Sequence, residues 1–263
     1  MKLSFISVFI LTLILSAVSS ISAKLITQTV EYKQGDTVLE GYLAYDDSYS
    51  GKRPGVLVVH EWYGLGKHAK TKAEELAKLG YVAFAADIYG KGVRPQTNEE
   101  AAKIAGQYRG DDRLLLRARA KAGLDELKRQ ALVDPTKTAA IGFCFGGSTV
   151  LELARSGAEV LGVVSFHGGL STPRPEDAKN IKAKVLVLHG ADDPFESKEE
   201  VQTFQEEMRQ AKLDWQFISY GGAVHSFTNP EAGNDNSKGA AYNQSADQRS
   251  WEAMQQFFKE IFK

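Results

Sequence analysis

One cysteine, Cys144, lies in a pattern typical of catalytic nucleophiles. The segment Gly142-Phe143-Cys144-Phe145-Gly146-Gly147 separates an apolar run from a segment of helical periodicity. It has the G-x-S-x-G form of a nucleophile elbow, with cysteine in place of serine. The turn in such an elbow is so tight that a Cβ atom two residues to either side would clash, which explains the glycines. We predict that Cys144 is a nucleophile at the N-terminus of the following helix, where backbone amides favour a thiolate.

A base and an acid follow the cysteine in chain order. Of five histidines, only His225 lies beyond the last predicted strand, in a glycine-rich loop. A neutral imidazole there would exchange protons near pH 7, and a carboxylate would fix its tautomer. Two adjacent aspartates follow an earlier predicted strand. We assign the acid to Asp193, three residues after Gly190 and directly before Pro194, and keep Asp192 as the alternative.

The other histidines fit structural roles better. His60, His167 and His189 end or follow predicted strands, and His68 lies in a predicted loop. Metal binding requires clustered ligands at characteristic spacings, which the sequence around these histidines does not provide. We therefore expect a site without a metal and without an organic cofactor.

The elements that must position these residues alternate along the chain. Short runs rich in Val, Ile and aromatic residues are separated by amphipathic segments, which predicts an α/β fold with a mostly parallel sheet flanked by helices. Active sites of such sheets gather at the carboxyl ends of the strands, where Cys144, Asp193 and His225 are all predicted to lie. The predicted strands cover residues 26–32, 38–44, 55–60, 81–87, 138–143, 161–166, 185–189 and 215–220, and the first two are predicted to form an antiparallel pair. The predicted helices cover residues 69–79, 97–107, 111–130, 148–155, 198–210 and 248–262. Residues 229–246 are predicted to form an irregular loop.

Composition restricts the class of protein. The 263 residues are 43% hydrophobic and 25% charged, which is ordinary for a globular chain, and no repeat or linker divides them. The formal net charge of −1 comes without a separate Lys/Arg cluster, so neither nucleic acid nor an anionic membrane surface is an expected partner. We predict a single domain over residues 24–263 that is monomeric and acts on a small molecule.

Residues 1–23 differ in composition from the rest of the chain. Lys2 precedes an apolar run at 3–15, and small residues follow at 16–23. This order is typical of a signal peptide, whereas a membrane-spanning helix needs roughly 20 apolar residues. We predict that residues 1–23 are a signal peptide, cleaved after Ala23 or Ser20. The mature protein would then be periplasmic or secreted, without a stable membrane anchor.

Five segments together resemble the dienelactone hydrolase (carboxymethylenebutenolidase) family of the α/β-hydrolase superfamily. They are His60-Glu61-Trp62-Tyr63-Gly64, Asp87-Ile88-Tyr89-Gly90, the elbow around Cys144, Gly190-Ala191-Asp192-Asp193-Pro194 and His225-Ser226-Phe227. They occur in the family's order, and the similarity extends from about residue 31 to residue 262. The resemblance implies an α/β-hydrolase fold and an enzyme that cleaves small esters or lactones.

The resemblance also implies how the site residues share the chemistry. Cys144, Asp193 and His225 would form the catalytic triad, and attack by the thiolate would give a thioacyl-enzyme that water resolves. The backbone amides of Trp62 and Phe145 would form the oxyanion hole.

Glu61 would lie beside the thiol according to the same resemblance. A carboxylate there can accept a hydrogen bond from the S–H group and repel negative charge on sulfur. Glu61 is therefore expected to keep Cys144 protonated until substrate binds. The alternative for Glu61 is a solvated loop carboxylate.

Substrate contacts depart from the family pattern. Tyr89, Lys91 and Asn229 are the residues expected to contact substrate. Members acting on dienelactone hold its carboxylate with arginines, and Lys91 and Asn229 stand in those places. A lysine can meet an anion as a point charge, but asparagine lacks the guanidinium fork. We expect weak activity on dienelactone and better activity on neutral or singly charged small esters.

Other interpretations remain open at this point. Cys144 could be a buried structural thiol, as single cysteines often are. The chain could also be a peptidase or acyltransferase, because a fold alone does not determine function. A thiol-based redox sensor or binding protein would keep a reactive Cys144 without turning over esters. The presence of Asp193 and His225 in triad order favours a hydrolase.

Overall fold

The computed structural model describes residues 24–263, so the predicted signal peptide lies outside the described residues. All eight predicted strands and all six predicted helices are present. The strands are β1 (Leu25–Gln34), β2 (Thr37–Asp46), β3 (Arg53–Val59), β4 (Val82–Ala86), β5 (Val133–Phe143), β6 (Gly162–Phe166), β7 (Lys184–Gly190) and β8 (Trp215–Tyr220). The helices are α1 (Lys67–Lys78), α2 (Asn98–Gln107), α3 (Leu114–Arg129), α4 (Phe145–Arg155), α5 (Lys198–Gln210) and α6 (Gln244–Ile261).

The strands form one sheet in the order β1-β2-β4-β3-β5-β6-β7-β8. Strand β2 pairs antiparallel with β1 and β4, and all the other pairs are parallel. The predicted architecture, including the opening antiparallel pair, is confirmed. Because the strands from β3 to β8 run in one direction, the residues that follow them meet at one edge of the sheet.

The sheet is buried on both faces. Along β3, Leu57 and Val59 pack into a core with residues of α3, α4 and α5, while Val56 and Val58 pack into a second core with α1 and α6. This alternation follows from the two-residue period of a strand. The two layers of helices exclude water from the sheet and leave its carboxyl edge accessible.

A buried ion-pair cluster joins three helices of one layer. Arg155 of α4 is 1% exposed and binds Glu207 of α5 through two hydrogen bonds of 2.7 and 2.8 Å. Glu152 of α4 accepts a hydrogen bond of 2.8 Å from Nε of Arg117 on α3, and Arg117 also pairs with Asp177 at 2.5 Å. Since a buried charge without a partner is strongly unfavourable, this pairing fixes α4 relative to α3 and α5.

Several element boundaries differ from prediction. Helix α4 begins at Phe145, directly after the elbow, and not at residue 148, because its glycines take part in the first turn. His68 is the second residue of α1 and not a loop residue. Helix α6 begins four residues earlier than predicted, because Asn243 caps it by accepting a hydrogen bond of 3.1 Å from the Ala246 amide.

The helix predicted over residues 111–130 is interrupted at its start. A short 3-10 turn, Asp111–Arg113, precedes α3. Asp112 and Arg113 have φ angles of 53° and 61°, in the left-handed region that non-glycine residues rarely adopt. The chain therefore changes direction before the regular helix begins.

Candidate active site

The elbow has the strained geometry that its sequence predicts. Cys144 follows β5 directly and has φ 54° and ψ −115°. A Cβ atom on Gly142 would lie 2.0 Å from the carbonyl oxygen of Gly146, and one on Gly146 would lie 2.2 Å from the carbonyl oxygen of Val59. The backbone crossing at the elbow therefore requires both glycines.

Asp193 and His225 come together as predicted. The Asp193 side chain is fully buried, and its Oδ2 lies 2.8 Å from Nδ1 of His225. Its other oxygen accepts a hydrogen bond of 2.9 Å from the Phe195 amide. Asp192 is exposed and accepts from the Gly222 amide at 2.8 Å. The structure thus places Asp193 against the histidine and Asp192 away from it.

His225 lies near Cys144, and both residues line the same cavity. Burial alone lowers the pKa of His225, but the charge of a Cys144 thiolate raises it, together with the hydrogen bonds to Asp193 and Cys144 and the charge of Asp193. The net pKa lies well above the usual value for histidine. The surroundings of His225 therefore favour the protonated form of its ring.

A second histidine supports the elbow, and the sequence did not identify this role. His167 is buried, and its Nδ1 accepts a hydrogen bond of 3.1 Å from the Cys144 amide. Its Nε2 lies 2.8 Å from Oγ1 of Thr228. Burial, followed by the nearby charge of His225, holds the pKa of His167 well below its usual value. His167 is therefore a neutral ring that orients the elbow backbone.

Glu61 lines the same cavity as Cys144 but has other partners. Its Oε2 accepts a hydrogen bond of 2.6 Å from Nδ2 of Asn229, and its Oε1 lies 3.4 Å from Oγ of Ser226. Nδ1 of His68 is 3.5 Å from Oε2. Within residues 24–263, no hydrogen bond joins Glu61 to Cys144. Burial raises the pKa of Glu61 although the hydrogen bond from Asn229 lowers it.

Asn229 was expected to contact substrate, and it lines the cavity. Its amide nitrogen is used by Glu61, however, and its Oδ1 accepts from the Glu231 amide at 2.9 Å. Asn229 therefore holds Glu61 in place. The contact joins residues 168 positions apart in the chain, which no local sequence pattern reveals.

Trp62 and Phe145, the residues predicted for the oxyanion hole, both line the cavity. In the described part of the chain, neither backbone amide donates a hydrogen bond to another protein group. Tyr89 donates from its hydroxyl to the Trp62 carbonyl at 2.9 Å and does not line the cavity. Tyr89 thus supports the loop that carries Trp62, and its contact with substrate stays a prediction.

His60 supports the loop that carries Glu61 and Trp62. The amide of Ile88 donates to its Nε2 at 3.2 Å, so the ring proton lies on Nδ1 and is donated to the Glu61 carbonyl at 2.6 Å. Burial lowers the pKa of His60 to about 4, which keeps it neutral. The structural role predicted for this histidine therefore includes positioning the Glu61 backbone.

Lys91 does not join the site. Its ammonium group pairs with Glu31 on β1 and lies 3.9 Å from Glu40 on β2. It is not among the residues that line the cavity. Carboxylates of the antiparallel strands thus pair with its charge, and a contact of Lys91 with substrate stays a prediction.

The cavity has a volume of about 820 Å³ and contains charges that the sequence did not single out. Arg109 and Arg113 line one part of it, and Glu196 and Glu200 also belong to the lining. Burial raises the pKa of Glu196 to about 7, although a hydrogen bond from the Leu170 amide lowers it. No metal site accompanies these charges: among residues 24–263, no three His, Cys, Asp or Glu side chains are grouped to hold an ion.

The sheet order, the flanking helices and the elbow after β5 define an α/β hydrolase. The dienelactone hydrolase family model matches residues 39–262, and the chain belongs to this family. The predicted fold, family and class of enzyme, a hydrolase of ester bonds, are confirmed.

Individual proteins show the extent of the similarity. The solved structure of m3DLH is 45% identical with a TM-score of 0.87, covering 91% of this chain and 99% of that one. The dienelactone hydrolase-like promiscuous phosphotriesterase P91, from metagenomic libraries, is 44% identical with a TM-score of 0.86 and the same coverage. A protein of Aquifex aeolicus named "Putative carboxymethylenebutenolidase" is 28% identical over 244 residues, which is 90% of this chain and 99% of that protein.

Proposed function

We propose that this hydrolase cleaves small carboxylic esters or lactones with a Cys144-His225-Asp193 triad, through a thioacyl-enzyme. The observation that carries the proposal is the contact of 2.8 Å between Asp193 and Nδ1 of His225, beside a cavity that both His225 and Cys144 line. This contact supports His225 as the base and Asp193 as the acid that orients it, and acyl transfer requires such a pair beside the nucleophile.

The chemistry follows from the positions of the groups. His225 takes the proton of the Cys144 thiol, the sulfur attacks the ester carbonyl carbon, and the Trp62 and Phe145 amides donate to the oxygen that becomes negative. When the tetrahedral intermediate collapses, the His225 imidazolium gives its proton to the leaving alkoxide. His225 then takes a proton from water, which attacks the thioester and releases the acid. Asp193 stabilises the imidazolium in both halves of the reaction.

Glu61 controls the charge on sulfur in this proposal. A carboxylate that accepts from the S–H group would oppose ionisation of Cys144, whereas in the described residues Glu61 accepts a hydrogen bond from Asn229. Movement of Glu61 between these two positions would couple substrate binding to thiolate formation.

Export is also part of the proposal. The order of charge, apolar run and small residues at 1–23 supports a cleaved signal peptide and a periplasmic or secreted mature protein. Along residues 24–263, every helix is too short or too polar to cross a bilayer.

A panel of chromogenic esters, lactones, dienelactone, a peptide and a phosphotriester tests the function of the mature protein. We expect turnover of small esters, weak turnover of dienelactone, and a loss of several orders of magnitude in His225→Ala with the fold intact. His189→Gln, a histidine change outside the cavity, is the control. A Cys144 that reacts with alkylating reagents without any ester turnover would instead support the redox-sensor interpretation.

A further inference from the structure

Two side-chain oxygens converge in the cavity that contains Cys144, although they come from separate elements. Ser148 lies in the first turns of α4, and Glu196 lies between β7 and α5. Both line the cavity together with Gly169, which is the third residue after β6. A Cβ atom on Gly169 would lie 3.0 Å from Oγ of Ser148 and 3.1 Å from Oε1 of Glu196. The two oxygens therefore face the same point beside Gly169.

Close packing of glycines produces this arrangement. A Cβ atom on Gly147 would lie 2.7 Å from Cα of Gly168, so the loop after β6 packs directly against the start of α4. The next residue of each segment, Ser148 or Gly169, is thereby brought to the cavity. Because Gly169 also lacks a Cβ atom, the space between the two oxygens stays open. Among the described residues, leaving out those bonded to Gly169, no further heavy atom lies within 4 Å of that point.

Glu196 is held by one of its two oxygens. Its Oε2 accepts a hydrogen bond of 3.1 Å from the Leu170 amide, whereas Oε1 accepts none from the described residues. The nearby carboxylate of Glu200 has a different role, because it accepts from the amide and the hydroxyl of Ser197 at 2.8 and 2.9 Å and so caps α5. Glu196 is therefore the glutamate in this part of the cavity that offers an oxygen to a ligand.

The ligand that suits the two oxygens is a hydroxyl group. Burial raises the pKa of Glu196 to about 7, so both the carboxylate and the carboxylic acid are present near neutral pH. A hydroxyl group can donate to the first and accept from the second, and it can do either with Ser148. An ammonium group can only donate, and a carboxylate on the substrate would be repelled by ionised Glu196.

We propose that Ser148 and Glu196 bind a hydroxyl group of the substrate, so that the preferred substrates are esters or lactones with a hydroxyl group near the scissile carbonyl. The proposal rests on the proposed ester hydrolysis and names its substrate class. Ser148 is four residues after Cys144, which places their Cα atoms roughly 6 Å apart. The hydroxyl group is therefore bound a few bonds away from the carbon that the sulfur attacks. It can belong to the acyl part or to the alcohol part of the ester.

Two pairs of esters test the proposal, and the members of each pair differ only by a hydroxyl group in place of a methyl group. The acyl pair is 4-nitrophenyl 3-hydroxybutyrate and 4-nitrophenyl 3-methylbutyrate, and the alcohol pair is 3-hydroxypropyl butyrate and butyl butyrate. Within each pair, the ratio of kcat/KM values is corrected for the rates of alkaline hydrolysis. It is measured for wild type, Ser148→Ala, Glu196→Ala and the double variant. Glu199→Ala, which changes an exposed glutamate in the first turn of α5, is the matched control.

We expect wild type to prefer the hydroxyl ester about tenfold in one of the two pairs, which corresponds to about 1.4 kcal/mol and identifies the part of the ester that is bound. Ser148→Ala and Glu196→Ala should each reduce the preference to about threefold, and the double variant should abolish it. Glu199→Ala should keep it. Equal turnover within both pairs by wild type, or a preference that either single variant leaves unchanged, overturns this inference while ester hydrolysis stands. If none of the four esters is hydrolysed, the proposed function fails together with the inference.

Discussion

Replacing each of two adjacent aspartates by asparagine separates the orienting acid from its neighbour. Asp193→Asn changes a buried carboxylate that contacts His225, and Asp192→Asn changes an exposed one that accepts from the Gly222 amide. The substitutions are chemically identical and one residue apart. A difference in their effects therefore reports the environment of each carboxylate.

The structure indicates the size of that difference. In Asp193→Asn, an amide group facing Nδ1 can donate a hydrogen bond, which places the ring proton on Nε2, the nitrogen that must accept from sulfur or water. The site is fully buried, so water cannot replace the lost charge. Loss of the acid from a comparable triad lowers kcat about 10⁴-fold, and we expect about 10³- to 10⁴-fold here, or about 4 to 5.5 kcal/mol of transition-state stabilisation.

Initial rates with 4-nitrophenyl butyrate give kcat/KM for both variants, and urea denaturation shows whether each remains folded. Asp192→Asn should stay within about threefold of wild type, because asparagine can still accept from the Gly222 amide and surface changes usually cost little. A larger loss in Asp192→Asn than in Asp193→Asn would refute the assignment of the acid. Equal, small losses would refute the triad itself.

Two further predictions concern the Glu61 contact and the elbow. Glu61→Gln should speed alkylation of Cys144 by iodoacetamide at neutral pH, because it removes a charge that opposes the thiolate. Asn229→Leu should slow the alkylation, because it frees the Glu61 carboxylate to reach the S–H group. Equal alkylation rates in wild type and both variants would contradict this control of the thiol. Gly146→Ala should lower the free energy of unfolding by about 3 kcal/mol because its Cβ would meet the Val59 backbone. Gly106→Ala, where a Cβ meets nothing within 4 Å, should be neutral or stabilising by about 0.5–1 kcal/mol in the same urea titration, and similar effects of the two changes would contradict the steric argument.

The parts of the fold that sequence could predict are those with a local cause. Every helix and strand was located from the alternation of apolar runs and amphipathic segments, because the pattern of each element lies within its own residues. The chain order at the carboxyl edge then brought Cys144, Asp193 and His225 into one region. The choice of Asp193 over Asp192 rested on its spacing from a glycine, and the contact of 2.8 Å with His225 agrees with it.

The contacts that sequence could not predict join distant parts of the chain. Asn229 binds Glu61, Tyr89 supports Trp62, and Lys91 turns to Glu31, each through a side chain whose partner depends on the packed structure. The resemblance to the family had placed all three among the groups expected to contact a substrate. In the structure, the partners of these three side chains are other protein groups. A hydrogen bond or ion pair with such a group stabilises a buried or charged side chain as effectively as one with a ligand would.

The failure of the helix prediction at Asp112 and Arg113 has a different cause. Nothing in the local pattern disfavours a helix over 111–130, and leucine, alanine and arginine in this segment favour one. Aspartate adopts the left-handed conformation more readily than most residues, but arginine has no comparable local reason to do so. The cause must therefore lie outside the segment, in what Arg113 contacts. Local rules are expected to fail at functional or strained positions. The Arg113 side chain is only 11% exposed, and its Nη1 lies 3.9 Å from Oε1 of Glu152 on α4. The interruption of the helix therefore depends on packing between α3 and α4, which no pattern within residues 111–130 reveals.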